Sequence, residues 1–154
     1  MNDFEEKLKK YIRENSIKAD HLVFQQSCHS VEEAAIAVNA RAEDFVKNIC
    51  MIDSNGKLIM AIVKGEDRAS TSKVAEVLKI ERPRTATPKE ILEMTGYPCG
   101  GTPSFGYNAT FLIDQRVMER EIVYSGGGSE NSLVKIATKE LQKANGGNIV
   151  MIHR

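Results

Sequence analysis

Apolar residues first recur at helical spacing in "DFEEKLKKYIREN" (3–15), where Phe4, Leu8, Tyr11 and Ile12 share one side. Asp3 and Glu6 are the expected N-terminal cap of that helix. "HLVFQ" (21–25) has a strand pattern, and "SVEEAAIAV" (30–38) is a helix opened by the capping box of Ser30 and Glu33. Two strongly apolar runs, near 46–53 and 57–63, flank Ser54-Asn55-Gly56, which is a hairpin signal. "STSKVAEVLKI" (70–80) carries Val74, Val77 and Leu78 on one helical side. "TPKEILEMTG" (87–96) is marked at both ends: Thr87 caps it, Pro88 takes the first position, Glu90 completes the box and Gly96 stops it. Strands follow at 109–114, 120–126 and 132–137, then a helix near 138–145 closed by Asn145-Gly146-Gly147, and a last strand at 148–152. Strands and helices mix without strict alternation, and the 46–63 hairpin is antiparallel. The expected fold class is therefore mixed α/β (α+β), a curved mixed β-sheet with helices around it, in one domain over 1–154.

Composition narrows this little. Apolar residues are 42% and charged residues 27%, the mix of a soluble globular chain. No apolar run approaches the roughly 20 residues that span a bilayer. The start, "MNDFEEKLKK", is charged from its third residue and is unlike a signal peptide, so a cytoplasmic location is expected. Lys+Arg and Asp+Glu balance at 21 each, which argues against broad, sequence-independent duplex binding but leaves room for contact with a few phosphates. Cys28, Cys50 and Cys99 form no CxxC pair, and His21, His29 and His153 are scattered. Neither a disulfide framework nor a metal site is expected, and no cofactor motif appears.

Three features stand out chemically. "GYPCGGTPSFG" (96–106) holds four of the eleven glycines and two of the four prolines. Gly101 and Gly106 have the gap of a phosphate-binding P-loop, but Tyr107 and Asn108 stand where that motif needs Lys and Ser/Thr, and a helix precedes the loop instead of a strand. "SGGGSEN" (125–131) lacks the G-x-G-x-x-G spacing of a dinucleotide fold. What remains is backbone: Gly100-Gly101 admits a ligand close to the main chain, Pro103 stiffens the loop, and its N–H groups can hold a carbonyl or oxyanion. The second feature is Lys47, polar at the start of the apolar run "FVKNICMI"; it either snorkels to water or aims its ammonium into a pocket. The third is the triple glycine Gly126–Gly128, either a hairpin tip or a site of close approach with Ser125, Ser129 and Asn131 as hydrogen-bonding groups.

The ordered set "HSVEEAAIAV", "FVKNICMID", "GKLIMAIVKGEDRASTSKVAEVL", "TATPKEILEMTGYPCGGTPSFG", "FLID" and "YSGGGSENSLVKIATKEL" resembles the YbaK / prolyl-tRNA-synthetase-associated domain family, the trans-editing aminoacyl-tRNA deacylases. The resemblance covers about residues 21–145. It implies a mixed, barrel-like β-sheet flanked by helices, and hydrolysis of wrongly charged aminoacyl-tRNA without a metal or other cofactor. It matches the family's lysine to Lys47, its glycine–proline loop to Gly100, Gly101, Pro103 and Gly106, and its late segment to Ser125, Gly126 and Gly127. In the commonest family form the loop proline stands four residues after the leading glycine; here Cys99 has that gap from Pro103, and Gly100 is one residue nearer. The aspartate common in the late segment of the cysteine-removing deacylases is missing from "ENSLVKI".

On this reading Lys47, Gly100 and Gly101 are the catalytic set. Pro103, Phe105, Gly106, Ser125, Gly126, Gly127, Gly128 and Asn131 bind substrate, with Phe105 as an apolar wall of the amino-acid pocket. The partner is the acceptor end of an aminoacyl-tRNA, with an aminoacyl-tRNA synthetase as a further candidate and no membrane. Two rivals stay open: a non-catalytic module that binds the acceptor end or a synthetase, and a hydrolase using Cys99 as nucleophile. A basic strip, Lys79, Arg82, Arg84 and Lys89, either tracks the acceptor strand or is a solvated face.

Overall fold

The structure, a computed structural model, describes residues 2–154. Helix α1 spans Asp3–Glu14, and its cap is Asn2, whose side chain accepts from the Glu5 amide at 2.9 Å. The helix starts one residue earlier than the Asp3/Glu6 cap expected, which turns Asp3 into a first-turn carboxylate facing the positive end of the helix dipole. Strand β1 (Ala19–Val23) lies two residues before its sequence pattern. Helix α2 (Val31–Val38) is capped by Ser30, and strands β2 (Val46–Ile52) and β3 (Leu58–Lys64) form the expected hairpin, with Val46 opposite Lys64 and Ile52 opposite Leu58. The Asp53 carboxylate shapes its turn by accepting from the amides of Asn55 and Lys57. Helix α3 is Thr71–Leu78, capped by Ser70. Strand β4 (Arg84–Thr85) is too short to show a period, and no sequence pattern announced it. Helix α4 (Pro88–Thr95) has the full Thr87/Glu90 box, and Gly96 ends it at φ +81°. Strands β5 (Thr110–Asp114), β6 (Ile122–Gly126) and β7 (Ser132–Ala137), helix α5 (Thr138–Asn145) and strand β8 (Asn148–Val150) complete the described chain.

The strands make two sheets. One is antiparallel, in the order β1-β7-β6; the other is mixed, in the order β4-β2-β3-β5-β8, with β3, β5 and β8 parallel. A single parallel bridge between Phe45 and Tyr124 joins them, so the curved sheet expected as one barrel-like body is two sheets and no closed barrel. Beyond that bridge, β2 and β6 are linked by side chains and by the loop after α4 instead of by a ladder. Asn48 of β2 donates to Ser125 of β6 and to the Thr102 carbonyl of that loop.

Strand β3 is buried along its length and serves both faces. Leu58, Met60 and Ile62 enter the main core between the sheets with Val123, Val134, Ile136, Leu8 and Leu141. Ile59, Ala61 and Val63 pack on the other face against Val74 and Ile152. The period of two thus divides one strand between two cores. No helix among the described residues is long and apolar enough to cross a membrane.

Asp114, fully buried at the end of β5, pins the C-terminal segment. It accepts from the amides of Ile152 (2.8 Å), His153 (2.9 Å) and Arg116 (3.0 Å) and meets the His153 ring. Burial would raise its pKa, but these donors outweigh it and hold the carboxyl below its ordinary value. With the folded pKa below the unfolded one, the stabilisation is complete above the unfolded value and fades as pH falls through the folded one. Urea unfolding is therefore expected to show stability falling below about pH 4, with a shallower fall in Asp114→Asn, which is less stable at neutral pH.

Candidate functional site

The start of β2, the chain entering α2, the glycine loop and β6 enclose a cavity of about 210 Å³. One wall is apolar: Val31, Ala34, Phe45, Tyr124 and Leu133, with the Phe45 and Tyr124 rings stacked at 5.1 Å. Polar residues, Lys47, Asn48, Thr102 and Ser125, add to the lining. Lys47 is half-buried, and its Nζ donates to the Asp67 carbonyl at 3.1 Å. Its neighbour Asn48 lies on the other face of β2 and ties three segments together. Nδ2 donates to Thr102 O (2.9 Å) and Ser125 Oγ (3.2 Å), and Oδ1 accepts from Ser104 Oγ (2.7 Å). The Ser104 and Ser125 hydroxyls meet at 2.6 Å. Asn48 escaped the sequence reading, although a polar residue two positions from the apolar Val46 and Cys50 on one strand face was a usable signal.

The glycines mostly serve the contact between the two loops. A Cβ on Gly101 would lie 2.6 Å from the Ser129 nitrogen and one on Gly126 2.1 Å from the Thr102 oxygen, while one on Gly127 would lie 2.5 Å from the Ser132 carbonyl carbon of its own hairpin. The Gly128 amide donates to Gly101 O at 2.7 Å. Main chain therefore packs on main chain, and side chains are excluded there. Gly100 differs: it is on the cavity wall with φ +88°, beneath the His29 ring. Cys99 is on the same wall, so both candidates for the leading loop position face the cavity, and Gly100 alone has the left-handed backbone that favours glycine.

Of the residues singled out in the sequence, Lys47, Gly100, Ser125 and Gly126 line the cavity. Gly101 and Gly128 lie off the lining in the loop contact, and Gly127 lies off it against Ser132 and Leu133 of its own hairpin. Pro103, whose carbonyl accepts from Tyr107, and Gly106, against Tyr11 and Tyr97, are off it. Phe105, expected as a wall of the amino-acid pocket, is fully buried in the main core and stacks on Tyr11; the rings at the cavity are Phe45 and Tyr124. Asn131 secures the chain leaving β1 by donating to Phe24 O at 2.9 Å. The Ser129 hydroxyl is used internally, donating to the buried Glu5 carboxylate of α1.

Loop amides are unequal. That of Gly101 bonds Pro98 O at 3.0 Å, whereas those of Gly100 and Thr102 have no partner in the chain among the described residues. Burial raises the thiol pKa of Cys28, and that of Cys50 to about 12, so neither is a thiolate at neutral pH. Two cations of the basic strip are locally paired. Arg84 forms a bidentate bond with Glu90 (2.8 and 2.7 Å), holding that carboxyl down at about 2, and Arg82 donates to Thr71 at 2.6 Å. Lys89 lies 4.0 Å from Glu93, and Lys79 closes α3.

Comparison with known proteins follows this geometry. The family model described as aminoacyl-tRNA editing domain matches residues 25–144. The uncharacterized protein YwhH of Bacillus subtilis (strain 168) is 25% identical, with 85% of this chain and 82% of that protein covered. A proline–tRNA ligase of Oleidesulfovibrio alaskensis is 22% identical over 77% of this chain, which spans only 21% of the ligase. Among solved structures, the hypothetical protein APE2540 has a TM-score of 0.89 at 27% identity, covering 96% of this chain and 99% of its own. A candidate trans-editing enzyme for prolyl tRNA synthetase has a TM-score of 0.92 at 23% identity, covering 100% and 99%, a likeness of fold.

Proposed function

This chain belongs to the aminoacyl-tRNA editing domain family, and on that premise we propose that it hydrolyses the ester of mischarged aminoacyl-tRNA by positioning the substrate. The observation that carries the reading is one cavity lined by Lys47, by the loop residues Gly100 and Thr102, whose amides have no partner among the described residues, and by an apolar cluster. The amides of Gly100 and Thr102 take the acyl carbonyl oxygen and stabilise the charge that grows on it. Lys47 holds a phosphate of the terminal adenosine as a point charge or polarises the ester. Water adds to the acyl carbon, the bond to the ribose oxygen breaks, and that oxygen leaves with a proton. The ester is already activated, so fixed orientation supplies much of the rate and no protein nucleophile is required. Val31, Ala34, Phe45 and Leu133 receive the amino-acid side chain. An apolar wall sorts mainly by size, about 1–3 kcal/mol per methylene, which is why a second, hydrolytic site is useful to a synthetase.

The test is a panel of mischarged tRNAs given to the purified protein, beginning with proline tRNA carrying alanine or cysteine, a choice guided by the prolyl-tRNA relatives. Release of the free amino acid from at least one member is expected, unchanged by Cys99→Ser. Saturable binding with no release from any member, with and without a synthetase present, assigns the protein to the binding-module reading instead.

A further inference from the structure

We propose that Arg116 is a positioning residue for Lys47: its ion pair with Asp67 fixes the turn whose carbonyl holds the ammonium of Lys47, a residue that lines the cavity. The catalytic consequence rests on the deacylase reading; the positioning itself does not.

A lysine on a flexible four-carbon stem has many places to put its charge. Among the described residues the ammonium has one hydrogen-bond acceptor, the Asp67 carbonyl at 3.1 Å. Asp67 belongs to the turn that follows β3. One end of that turn is held by backbone: the Gly65 amide donates to Phe45 O at 2.7 Å, and a Cβ on Gly65 would lie 2.6 Å from Ala42 O. The Asp67 amide donates to Lys64 O at 2.9 Å. The other end is held by charge. The Asp67 side chain is 10% exposed, and its Oδ1 lies 2.9 Å from Arg116 Nη1, while Oδ2 is buried without a partner. Arg116 is the one cation paired with this carboxylate among the described residues.

Arg116 is itself a fixed post. Its amide bonds the buried Asp114 at 3.0 Å, and its Nη2 reaches Glu66 at 3.3 Å. Lys64, nearly buried, meets Glu66 at 3.2 Å and Glu119 at 3.9 Å, so the remaining charges of the turn are paired. Without the guanidinium, Asp67 would be a buried carboxylate with no counter-charge, a state that drives the group toward water. Its carbonyl moves with it, and Lys47 loses its tether. A site that works by orientation is sensitive to such displacements.

The experiment measures Lys47 directly. The folded protein is labelled with trace acetic anhydride, and acetylation of Lys47 is read by peptide mass spectrometry against the exposed Lys10 as reference. Arg116→Met is expected to raise Lys47 labelling several-fold with Lys10 unchanged, and Arg116→Lys to restore most of the protection. On a cleavable tRNA, Arg116→Met is expected to lower kcat/KM about tenfold or more. Arg116→Gln takes its place if the methionine variant does not fold. Unchanged Lys47 labelling in a folded variant overturns the proposal. Raised labelling in a protein whose wild type cleaves no tRNA of the panel keeps the positioning role and removes the deacylase reading.

Discussion

Lys47→Ala is expected to lower kcat/KM for cleavage of a mischarged tRNA by about 10²–10³-fold, the range for losing one aligned electrostatic stabiliser. Stability should change little, because the side chain makes one hydrogen bond, to Asp67 O, worth about 1 kcal/mol net. The strand around it is secured independently by its seven-residue register with β3, from Val46↔Lys64 to Ile52↔Leu58. Lys47→Arg keeps the charge but replaces a compact ammonium with a wide planar fork, so it should recover only part of the rate. Single-turnover deacylation beside thermal unfolding reads both quantities. Near-normal turnover by a folded Lys47→Ala protein would remove the ammonium from the mechanism.

Gly126→Ala is the substitution expected to damage fold and site together. The added methyl would sit 2.1 Å from the Thr102 oxygen and 2.7 Å from its carbonyl carbon, both backbone atoms that cannot rotate away. Overpacking of this kind costs about 1–3 kcal/mol, and here the upper part of the range applies. In a domain of this size that corresponds to a fall in Tm of roughly 5–10 °C. Thr102 O is also an acceptor of Asn48 Nδ2, so moving it disturbs the buried Asn48–Ser104–Ser125 cluster and displaces Gly100 and Thr102 at the wall. Activity should fall more than stability alone explains when both are measured well below the unfolding transition. Gly56→Ala is the control: it has open space around the Cβ and only the backbone cost of φ +77°, about 1–2 kcal/mol, with normal turnover expected. A Gly126→Ala protein as stable and active as wild type would show that the two loops separate freely.

Local signals were readable wherever the chain solves its problem locally. Ser30 and Thr87 each cap the helix that follows, because a side-chain oxygen three residues before an orphan amide needs nothing from the rest of the protein. The β2–β3 hairpin is legible for the same reason: its turn residues and its two apolar runs are neighbours in sequence. The cap of α1 was misplaced by one residue because Asn2 and Asp3 are equally suitable caps, and spacing alone does not choose between them.

Glycines were harder to interpret. Composition shows that Gly101, Gly126 and Gly127 have no side chain; it does not say whether a ligand or another stretch of main chain takes the space. Phe105 shows the same limit, since an aromatic in a loop is equally suited to lining a pocket or filling a core. Sequence by itself determined every element but the two-residue β4 and the short 3₁₀ turns, the mixed class and the segments that hold Lys47, the glycine loop and the serine–glycine run, because periodicity, caps and turn chemistry act over a few residues. Only the tertiary structure decided that β3, β5 and β8 run parallel, that Phe45 meets Tyr124, that Asn48 joins two loops and a strand, and that Asp67 and Arg116 stand behind Lys47. Those contacts join residues tens of positions apart, and which of them form depends on packing and burial over the whole chain, which no local spacing records.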